Sequence, residues 1–340
     1  MTTLSAVPAA APAAPFEEPD GVYLGAYLRP FRQWLDRDDI SEIIVNRPGE
    51  IWVESAGAMH LERHAAPDVT DQLVRRLAAQ VARSTHQGVS RERPLLAATL
   101  PDGARVQFAA PPATRSGWAM AIRRHRLVDL PLSAYASGPI VPRPVPPRVD
   151  PKADPLGYLR QAVAERRTIL VSGGTSSGKT TFLNALLREV PAAERIILIE
   201  DTPEIRLGSS ASLGLVAVKG ELGEARVTAD DLLQASLRLR PDRIVLGELL
   251  GTEAVSFLRA INTGHPGSFS TIHANSPSGA LDQLALMVMQ AGLGLSRGDT
   301  LDYARSVIDV IVQLDRSRGS RAVADILDLR AASGEPEQGQ

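Results

Sequence analysis

The sequence predicts an α/β protein with two domains, a smaller α+β domain followed by a domain built on a parallel β-sheet. Its 340 residues correspond to about two domains at roughly 150 residues each, and 44% hydrophobic with 22% charged residues is typical of a globular protein. Eight prolines fall within residues 131–155 and indicate a semi-rigid, extended linker. Beyond them, short β-branched runs alternate with helical segments, which is the pattern of a parallel sheet with helices on both faces.

The amino-terminal part begins with residues 1–20, which are rich in alanine and proline and are expected to form a disordered tail. This tail lacks the basic segment that opens a secretory signal peptide. Residues 21–130 then predict a compact α+β domain. Its expected elements are a helix over Tyr23–Leu35, a hairpin over Glu42–Glu54 with its turn at 46–49, a helix over Asp71–Ser84 capped by Thr70, and strands over Leu100–Ala109 and Gly117–Arg123.

The carboxyl-terminal domain is predicted over residues 156–330, and residues 331–340 are expected to form a second disordered tail. Two β-type runs near its end flank a short Arg- and Gly-containing segment and predict a terminal hairpin. The predicted strands are Thr168–Ser172, Arg195–Glu200, Leu215–Val218, Arg243–Leu246 and Ser268–Ile272, with the hairpin formed by Val307–Leu314 and Ala322–Leu329.

Charge and composition exclude several classes of protein and site. The 37 basic and 39 acidic residues give a net charge of -2, so a surface for nucleic acid or anionic lipid would have to be a local patch. Aromatic residues make up only 4%, and no basic groove with interleaved aromatics is evident, so specific nucleic-acid recognition is not expected. The absence of cysteine excludes disulfides, thiol nucleophiles, iron–sulfur clusters and cysteine zinc sites. No apolar run reaches the roughly 18 residues of a membrane helix, and the chain is not expected to span a bilayer.

The strongest motif is a glycine-rich loop between a predicted strand and a predicted helix. Residues 173–180 read GGTSSGKT and fit G-x-x-x-x-G-K-[ST]. In this pattern backbone N–H groups surround phosphate oxygens, the lysine contacts the β- and γ-phosphates, and the following hydroxyl binds Mg²⁺. The motif therefore predicts an ATP and Mg²⁺ site in which Lys179 and Thr180 have the last two roles. The predicted nucleotide-binding residues are Gly173, Gly174, Thr175, Ser176, Ser177, Gly178, Lys179 and Thr180 of the motif, together with Thr181 after it.

Carboxylates follow two further predicted strands. Ligands bind at the carboxyl ends of parallel strands, so Glu248 is a candidate to polarise an attacking water or to hold Mg²⁺ through water. Glu200, Asp201 and Glu204 lie within five positions and repel one another unless a cation is near, which favours a second contribution to the Mg²⁺ site. A solvated acidic loop would show the same sequence pattern. The presence of the phosphate loop in the same chain favours the functional interpretation.

A histidine and several arginines complete the candidates. His273 follows the predicted strand Ser268–Ile272, where an imidazole could contact the γ-phosphate and report its presence to a neighbouring element. An arginine delivered to a phosphoryl transfer stabilises the transition state, but the sequence holds many arginines and spacing selects none of them. The candidates are Arg105, Arg123, Arg124, Arg238, Arg240 and Arg243.

The order of these motifs resembles that of the bacterial secretion ATPases. The blocks GGTSSGKTT, IEDTPEI, LRLRPDRIVLGEL and TGHPGSFSTIHANS are similar to the Walker A, Asp box, Walker B and His box of that superfamily. The likeness is closest to the VirB-type and TrbB-type traffic ATPases of type IV secretion and conjugative transfer. The segments SEIIVNRPGEIWVE, LPDGARVQFAAPP and WAMAIRR also resemble the amino-terminal domain of that family. The resemblance thus covers about residues 22–330.

This resemblance implies a RecA-like P-loop ATPase domain that follows an amino-terminal domain and assembles as a hexameric ring. ATP would lie between the two domains, with Glu248, Glu200 and Glu204 serving the attacking water and His273 near the γ-phosphate. Arg105 and Arg123 occupy positions from which the family's amino-terminal domain reaches nucleotide. Such rings work with other secretion ATPases and inner-membrane components at the cytoplasmic face of the inner membrane, where they power pilus assembly and substrate export.

One residue departs from the family pattern. The family has GE-x-R after the Walker B strand, whereas this chain has Gly247-Glu248-Leu249-Leu250, so Leu250 replaces an arginine. Either hydrolysis is slow, or another arginine takes this place. A weakly hydrolysing nucleotide-binding assembly module therefore stays open as an alternative. Within the secretion ATPases, a Tad-type ATPase and a type II or type IV pilus ATPase also stay open.

Overall fold

A computed structural model describes residues 22–124, 131–135, 147–219, 225–316 and 320–332. The predicted tail over 1–20, most of the predicted tail over 331–340 and residues 136–146 of the predicted linker lie outside the described residues. Among the residues described, no helix combines the length and the apolar character needed to cross a membrane.

The amino-terminal part consists of one antiparallel sheet with helices on one face. The sheet has the strand order β3-β2-β1-β6-β5-β4. Its elements are α1 (Val22–Leu28), a 3-10 turn (Arg29–Phe31), α2 (Arg32–Leu35), β1 (Ile40–Val45), β2 (Gly49–Ser55), β3 (Glu62–Ala66), α3 (Asp71–Ser84), β4 (Leu95–Thr99), β5 (Arg105–Ala109) and β6 (Ala119–Arg123).

Local sequence accounts for several of these elements. The predicted helix Asp71–Ser84 is confirmed with both bounds, and the Thr70 side chain accepts a hydrogen bond from the backbone N–H of Leu73, as expected of an N-cap. The predicted hairpin over Glu42–Glu54 is also confirmed.

Two predictions for this part were wrong. The helix expected over Tyr23–Leu35 is interrupted by the 3-10 turn that contains Pro30, because proline lacks the N–H that an inner helical turn requires. The strand expected over Leu100–Ala109 starts only at Arg105, because residues 100–104 turn back, with Gly103 at φ +84°. The strands β3 and β4 were not predicted.

The carboxyl-terminal part is built on a seven-stranded sheet with the order β15-β14-β7-β13-β12-β8-β9, in which β15 alone runs antiparallel to its neighbour. Its elements are a 3-10 turn (Leu132–Tyr135), α4 (Pro155–Ala164), β7 (Ile169–Gly173), α5 (Lys179–Glu189), β8 (Ile196–Glu200), β9 (Leu213–Val216), β10 (Val218–Lys219), β11 (Arg226–Val227), α6 (Ala229–Ser236), β12 (Arg243–Leu246), α7 (Glu253–Asn262), β13 (Phe269–Ile272), α8 (Pro277–Gln290), α9 (Arg297–Val307), β14 (Val310–Asp315), β15 (Ala322–Asp328) and α10 (Leu329–Ala332).

The predicted parallel sheet with helices on both faces is confirmed. Neighbouring residues of each strand point to opposite faces: Leu198 packs in one hydrophobic cluster with α4 and α5, whereas Ile197 packs in another with α6 to α9. The terminal hairpin is also confirmed, although Val307 ends α9 instead of opening β14. The run expected over Leu215–Val218 is divided between β9 and β10.

The two parts share one hydrophobic cluster. One face of the amino-terminal sheet packs against α1, α2 and α3, while Ile44 and Trp52 on the other face join the cluster that holds α6 to α9. Buried polar contacts fix the same interface. The Nη1 of Arg195, which precedes β8, donates to Asn46 Oδ1 at 2.7 Å, and Asn46 donates to the carbonyl oxygen of Ala211 at 3.0 Å. These contacts join the β1–β2 turn to the amino end of β8.

Candidate functional site

The glycine-rich loop leads from the end of β7 into α5. Two of its residues have left-handed backbone, Ser176 with φ +63° and Gly178 with φ +94°. Left-handed residues that alternate with other backbone conformations turn successive N–H groups toward a common point, which is suited to an anion. Gly173 leaves room for the loop, since a β-carbon there would lie 2.4 Å from Ser177 Oγ.

Lys179 opens α5 and is buried, with 8% of its surface exposed. Its Nζ lies 3.2 Å from the carbonyl oxygen of Gly173 and 3.2 Å from both ring nitrogens of His273. Burial lowers the pKa of Lys179, and the carboxylate of Glu248, 3.8 Å from Nζ, opposes that shift. The ammonium thus stands among neutral oxygens with one carboxylate near, where a phosphate would add strong attraction.

Glu248 and His273 meet beside this lysine. Glu248 follows β12 and is held by hydrogen bonds to β13, in which Thr271 Oγ1 donates to the carbonyl oxygen of Gly247 at 2.8 Å and Leu249 N donates to Thr271 O at 2.8 Å. Its Oε1 lies 2.8 Å from His273 Nε2. A neutral imidazole with its proton on Nε2 satisfies both contacts, since it donates to Glu248 and accepts from Lys179. The sequence-predicted Lys179, Glu248 and His273 are thus brought together.

The acidic loop after β8 lines the same cavity as Glu248. Glu200 is buried, with 5% exposed, and its Oε1 accepts the backbone N–H groups of Glu204 and Ile205 at 3.1 and 2.9 Å. Its Oε2 forms an ion pair with Arg115 Nη2. Both carboxylate oxygens of Glu200 are engaged, which favours a role in shaping the loop over direct contact with water or magnesium. Glu204 is exposed at the rim.

A cavity of about 200 Å³ lies between these elements. Oxygen atoms dominate its polar lining, and oxygen is the donor that Mg²⁺ prefers. Its lining includes Thr180, Glu200, Asp201, Glu204, Glu248 and Thr271. No group of three or more His, Asp or Glu side chains positioned to hold a metal ion occurs in the described ranges.

The structure does not bring Arg105 and Arg123 to this cavity. They face each other on β5 and β6, and Arg123 Nε lies 3.6 Å from Oε1 of the buried Glu42. Glu42 in turn interacts with Arg195 and Arg240, which precede β8 and β12. These are the amino ends of the parallel strands, whereas the phosphate loop lies at their carboxyl ends.

Sequence reasoning missed two arginines that do lie at the site. Arg115, from the loop between β5 and β6, contacts Glu200. Arg321, immediately before the terminal hairpin's second strand, crosses the phosphate loop: a β-carbon at Gly178 would lie 2.7 Å from its Cδ and 3.3 Å from its Nε. Within the described ranges no carboxylate pairs with Arg321. Both are contacts between distant parts of the chain, for which a linear motif gives no signal.

Comparison with known proteins gives a consistent result over most of the chain. Residues 28–321 match the family model described as type II/IV secretion system protein. The chain is 40% identical to the type IV secretion system protein PtlH of Bordetella pertussis over 91% of this chain and 95% of that protein. It is 38% identical to VirB11 of Brucella suis over 78% of this chain and 77% of that protein. The crystal structure of the Brucella suis VirB11 ATPase in complex with sulphate superposes with a TM-score of 0.82 at 33% identity, covering 92% of this chain and 97% of that one.

Proposed function

The chain belongs to the type II/IV secretion system protein family, within its VirB11-type traffic ATPases, and from this premise we propose that it hydrolyses Mg-ATP at the phosphate loop after β7 to drive type IV secretion. The observation that carries the proposed site is the convergence of Lys179, Glu248 and His273 at the carboxyl ends of three parallel strands. The similar proteins are named for type IV secretion, which disfavours the pilus and type II alternatives.

The loop residues would hold the triphosphate. The N–H groups around Ser176 and Gly178 and the Lys179 ammonium would bind the β- and γ-phosphates, and Arg321 would add positive charge where it crosses Gly178. When bound, Mg²⁺ neutralises charge on the same phosphate oxygens. The Thr180 hydroxyl would hold it, with Glu248 contributing through water.

Glu248 is the residue best placed to activate water. Its carboxylate lies beside the Lys179 ammonium, on the cavity that Thr180 also lines. A water in this cavity could give its proton to Glu248 as it attacks the γ-phosphorus, releasing ADP as the leaving group. His273, which contacts both Lys179 and Glu248, would change partners when phosphate enters or leaves. It is therefore a candidate sensor of the γ-phosphate.

We propose that Arg105 and Arg123, which lie away from the cavity, contribute to nucleotide binding in an assembly. The hexameric ring that the family resemblance implies would be such an assembly. We include this homo-hexamer in the proposal, together with contacts to other secretion ATPases and inner-membrane components and peripheral association at the cytoplasmic face of the inner membrane. The names of the similar type IV secretion proteins support such a setting.

Substitution of the loop lysine tests the proposed activity. Lys179→Ala should lower Mg-dependent phosphate release from ATP by on the order of 100-fold or more, because it removes the cation aimed at the transferred phosphate. Lys152→Ala is the matched control, since Lys152 is exposed and lies ahead of α4. Phosphate release is measured on the purified full chain, and binding of a fluorescent ADP analogue is measured beside it. Unchanged turnover in Lys179→Ala would refute the assignment.

A further inference from the structure

The loop between β5 and β6 extends into the carboxyl-terminal part of the molecule. Its backbone pairs with the outer strand β9: Arg115 N donates to the carbonyl oxygen of Gly214 at 3.2 Å, Val216 N donates to Ala113 O at 2.9 Å, and Thr114 bridges Leu215. The amino-terminal part thereby fixes Arg115 at the edge of the parallel sheet, next to the strand that carries Glu200.

The Arg115 side chain ties the two ends of the acidic loop together. Its Nη1 donates to the carbonyl oxygen of Ile205 at 2.7 Å, and its Nη2 pairs with Glu200 Oε2. Glu200 Oε1 accepts the N–H of the same Ile205. The guanidinium and the carboxylate are 22% and 4% exposed, so the pair is shielded from water. A closed ring of contacts therefore sets the path of residues 200–205.

Gly214 makes room for this side chain. A β-carbon at Gly214 would lie 2.6 Å from Arg115 Cδ and 3.0 Å from its Nε. Contacts this short are not tolerated, so any larger residue would displace the arginine. The sequence of β9 and the position of Arg115 are thus matched to each other.

The family pattern has an arginine two residues after the Walker B glutamate, whereas this chain has Leu250 there. Leu250 is 58% exposed and lines the cavity together with Glu200 and Glu248. Its hydrocarbon side chain cannot neutralise a carboxylate. Arg115 pairs with Glu200 from the amino-terminal part of the molecule.

We propose that Arg115 is a positioning residue for ATP hydrolysis, which holds Glu200 and the acidic loop against the cavity from the amino-terminal sheet. The inference rests on the proposed function. It follows that the position of the amino-terminal part controls the geometry of the acidic loop, because withdrawing Arg115 leaves the buried Glu200 carboxylate without its cation. Glu204, whose N–H is held by Glu200, would then leave its place at the rim.

Kinetics of three variants test this role in the purified full chain. Arg115→Ala should lower kcat by roughly 10-fold or more, as loss of a residue that orients active-site groups does, while the KM for ATP and the Kd for a fluorescent ADP analogue change by no more than about twofold. Arg115→Lys should recover part of kcat, since lysine restores the charge without the two-point donation. Arg75→Ala, an exposed arginine on α3, is the control and should match the wild type.

Gly214→Ala provides a second, independent route to the same result. It should lower kcat in the wild-type background by displacing Arg115, and it should cause no further loss in the R115A background, where the colliding atoms are gone. If R115A does not fold, Arg115→Lys and Gly214→Ala carry the test.

The outcomes separate this inference from the proposed function. A wild-type kcat in R115A while K179A is inactive would overturn the role of Arg115 and leave the ATPase assignment intact. Losses that add in the R115A/G214A double variant would also overturn it, because Gly214 would then act by another route. A wild-type chain that neither binds nor hydrolyses ATP would overturn the proposed function, and the inference with it.

Discussion

Replacing Glu42 with glutamine should remove a pH-dependent destabilisation of the folded protein. Glu42 lies on β1 at the interface between the two parts and is 5% exposed. Burial raises its pKa from 4.5 to about 7, although Arg123 partly offsets the shift. Its Oε2 is buried and, among the described residues, has no hydrogen-bond partner. The folded state therefore favours the protonated carboxyl, whereas the unfolded chain ionises it at ordinary pH.

The pKa shift sets the size and sign of the effect. An acid whose pKa is raised on folding loses stability as pH rises from its unfolded pKa to its folded pKa, and the loss is constant above that. With a pKa of 4.5 in the unfolded chain and about 7 in the folded protein, Glu42 lowers the free energy of unfolding by roughly 1.4 kcal/mol at pH 5.5 and by about 3 kcal/mol at pH 8. Because glutamine does not titrate, the stability gain of Glu42→Gln over wild type should widen by about 2 kcal/mol between these pH values.

Urea unfolding at both pH values measures this difference. Fluorescence reports it, since Trp34 and Trp52 are both packed in the amino-terminal part. Glu92→Gln, at an exposed position, is the control and should show a gap that does not change with pH. If the gap between Glu42→Gln and wild type is the same at the two pH values, the Glu42 carboxyl is not held in its protonated form by burial and the reasoning fails.

Two further substitutions test the phosphate loop and the carboxyl-terminal hairpin. Gly178→Ala should weaken binding of a fluorescent ADP analogue roughly 10-fold, because alanine is strained at φ +94° and its β-carbon would collide with Arg321. Gly208→Ala, with open space around the residue, is the control. Equal affinities of Gly178→Ala and wild type would contradict the expectation. Asp328→Asn should destabilise the chain by about 3 kcal/mol near neutral pH, because it leaves the buried Arg167 guanidinium, 2.7 Å away, without its anion. Burial alone would raise the pKa of Asp328, but hydrogen bonds hold it below its usual value. The stability difference between Asp328→Asn and wild type, measured by thermal unfolding, should therefore shrink as pH falls through the folded-state pKa of Asp328. A stability difference independent of pH would count against the ion pair.

Elements with a local physical signal could be predicted from the sequence. The helix Asp71–Ser84 has both a capping hydroxyl and an apolar stripe, and its bounds were predicted without error. The strands of the parallel sheet are buried apolar runs, and each was found within a few residues. The strand β3, in contrast, carries Glu62, Arg63 and His64 on an edge of its sheet, and this composition gives no strand signal. Strand β4 was not predicted, and the predicted strand Leu100–Ala109 wrongly includes the turn at residues 100–104, although Asp102-Gly103 is a recognised turn signal.

The residues of the site also fall into two groups, those that the sequence predicts and those that it does not. Lys179, Glu248 and His273 each follow a predicted strand, so the topology of a parallel sheet was enough to place them together. Arg115 and Arg321 reach the site from loops whose positions depend on tertiary packing, and their contacts join residues far apart in sequence. The contact between Arg115 and Glu200 could therefore not be identified from the sequence.

Pairing of residues 113–115 with β9 has a consequence for solubility. Strand β9 is the last in its sheet, and an uncovered outer strand offers a row of unpaired N–H and C=O groups on which a foreign chain can build. Here residues 113–115 of the same chain form hydrogen bonds with the outer edge of β9, which prevents another strand from pairing there. Should the amino-terminal part detach, the molecule would lose this protection against aggregation at the same moment as it lost Arg115 from Glu200.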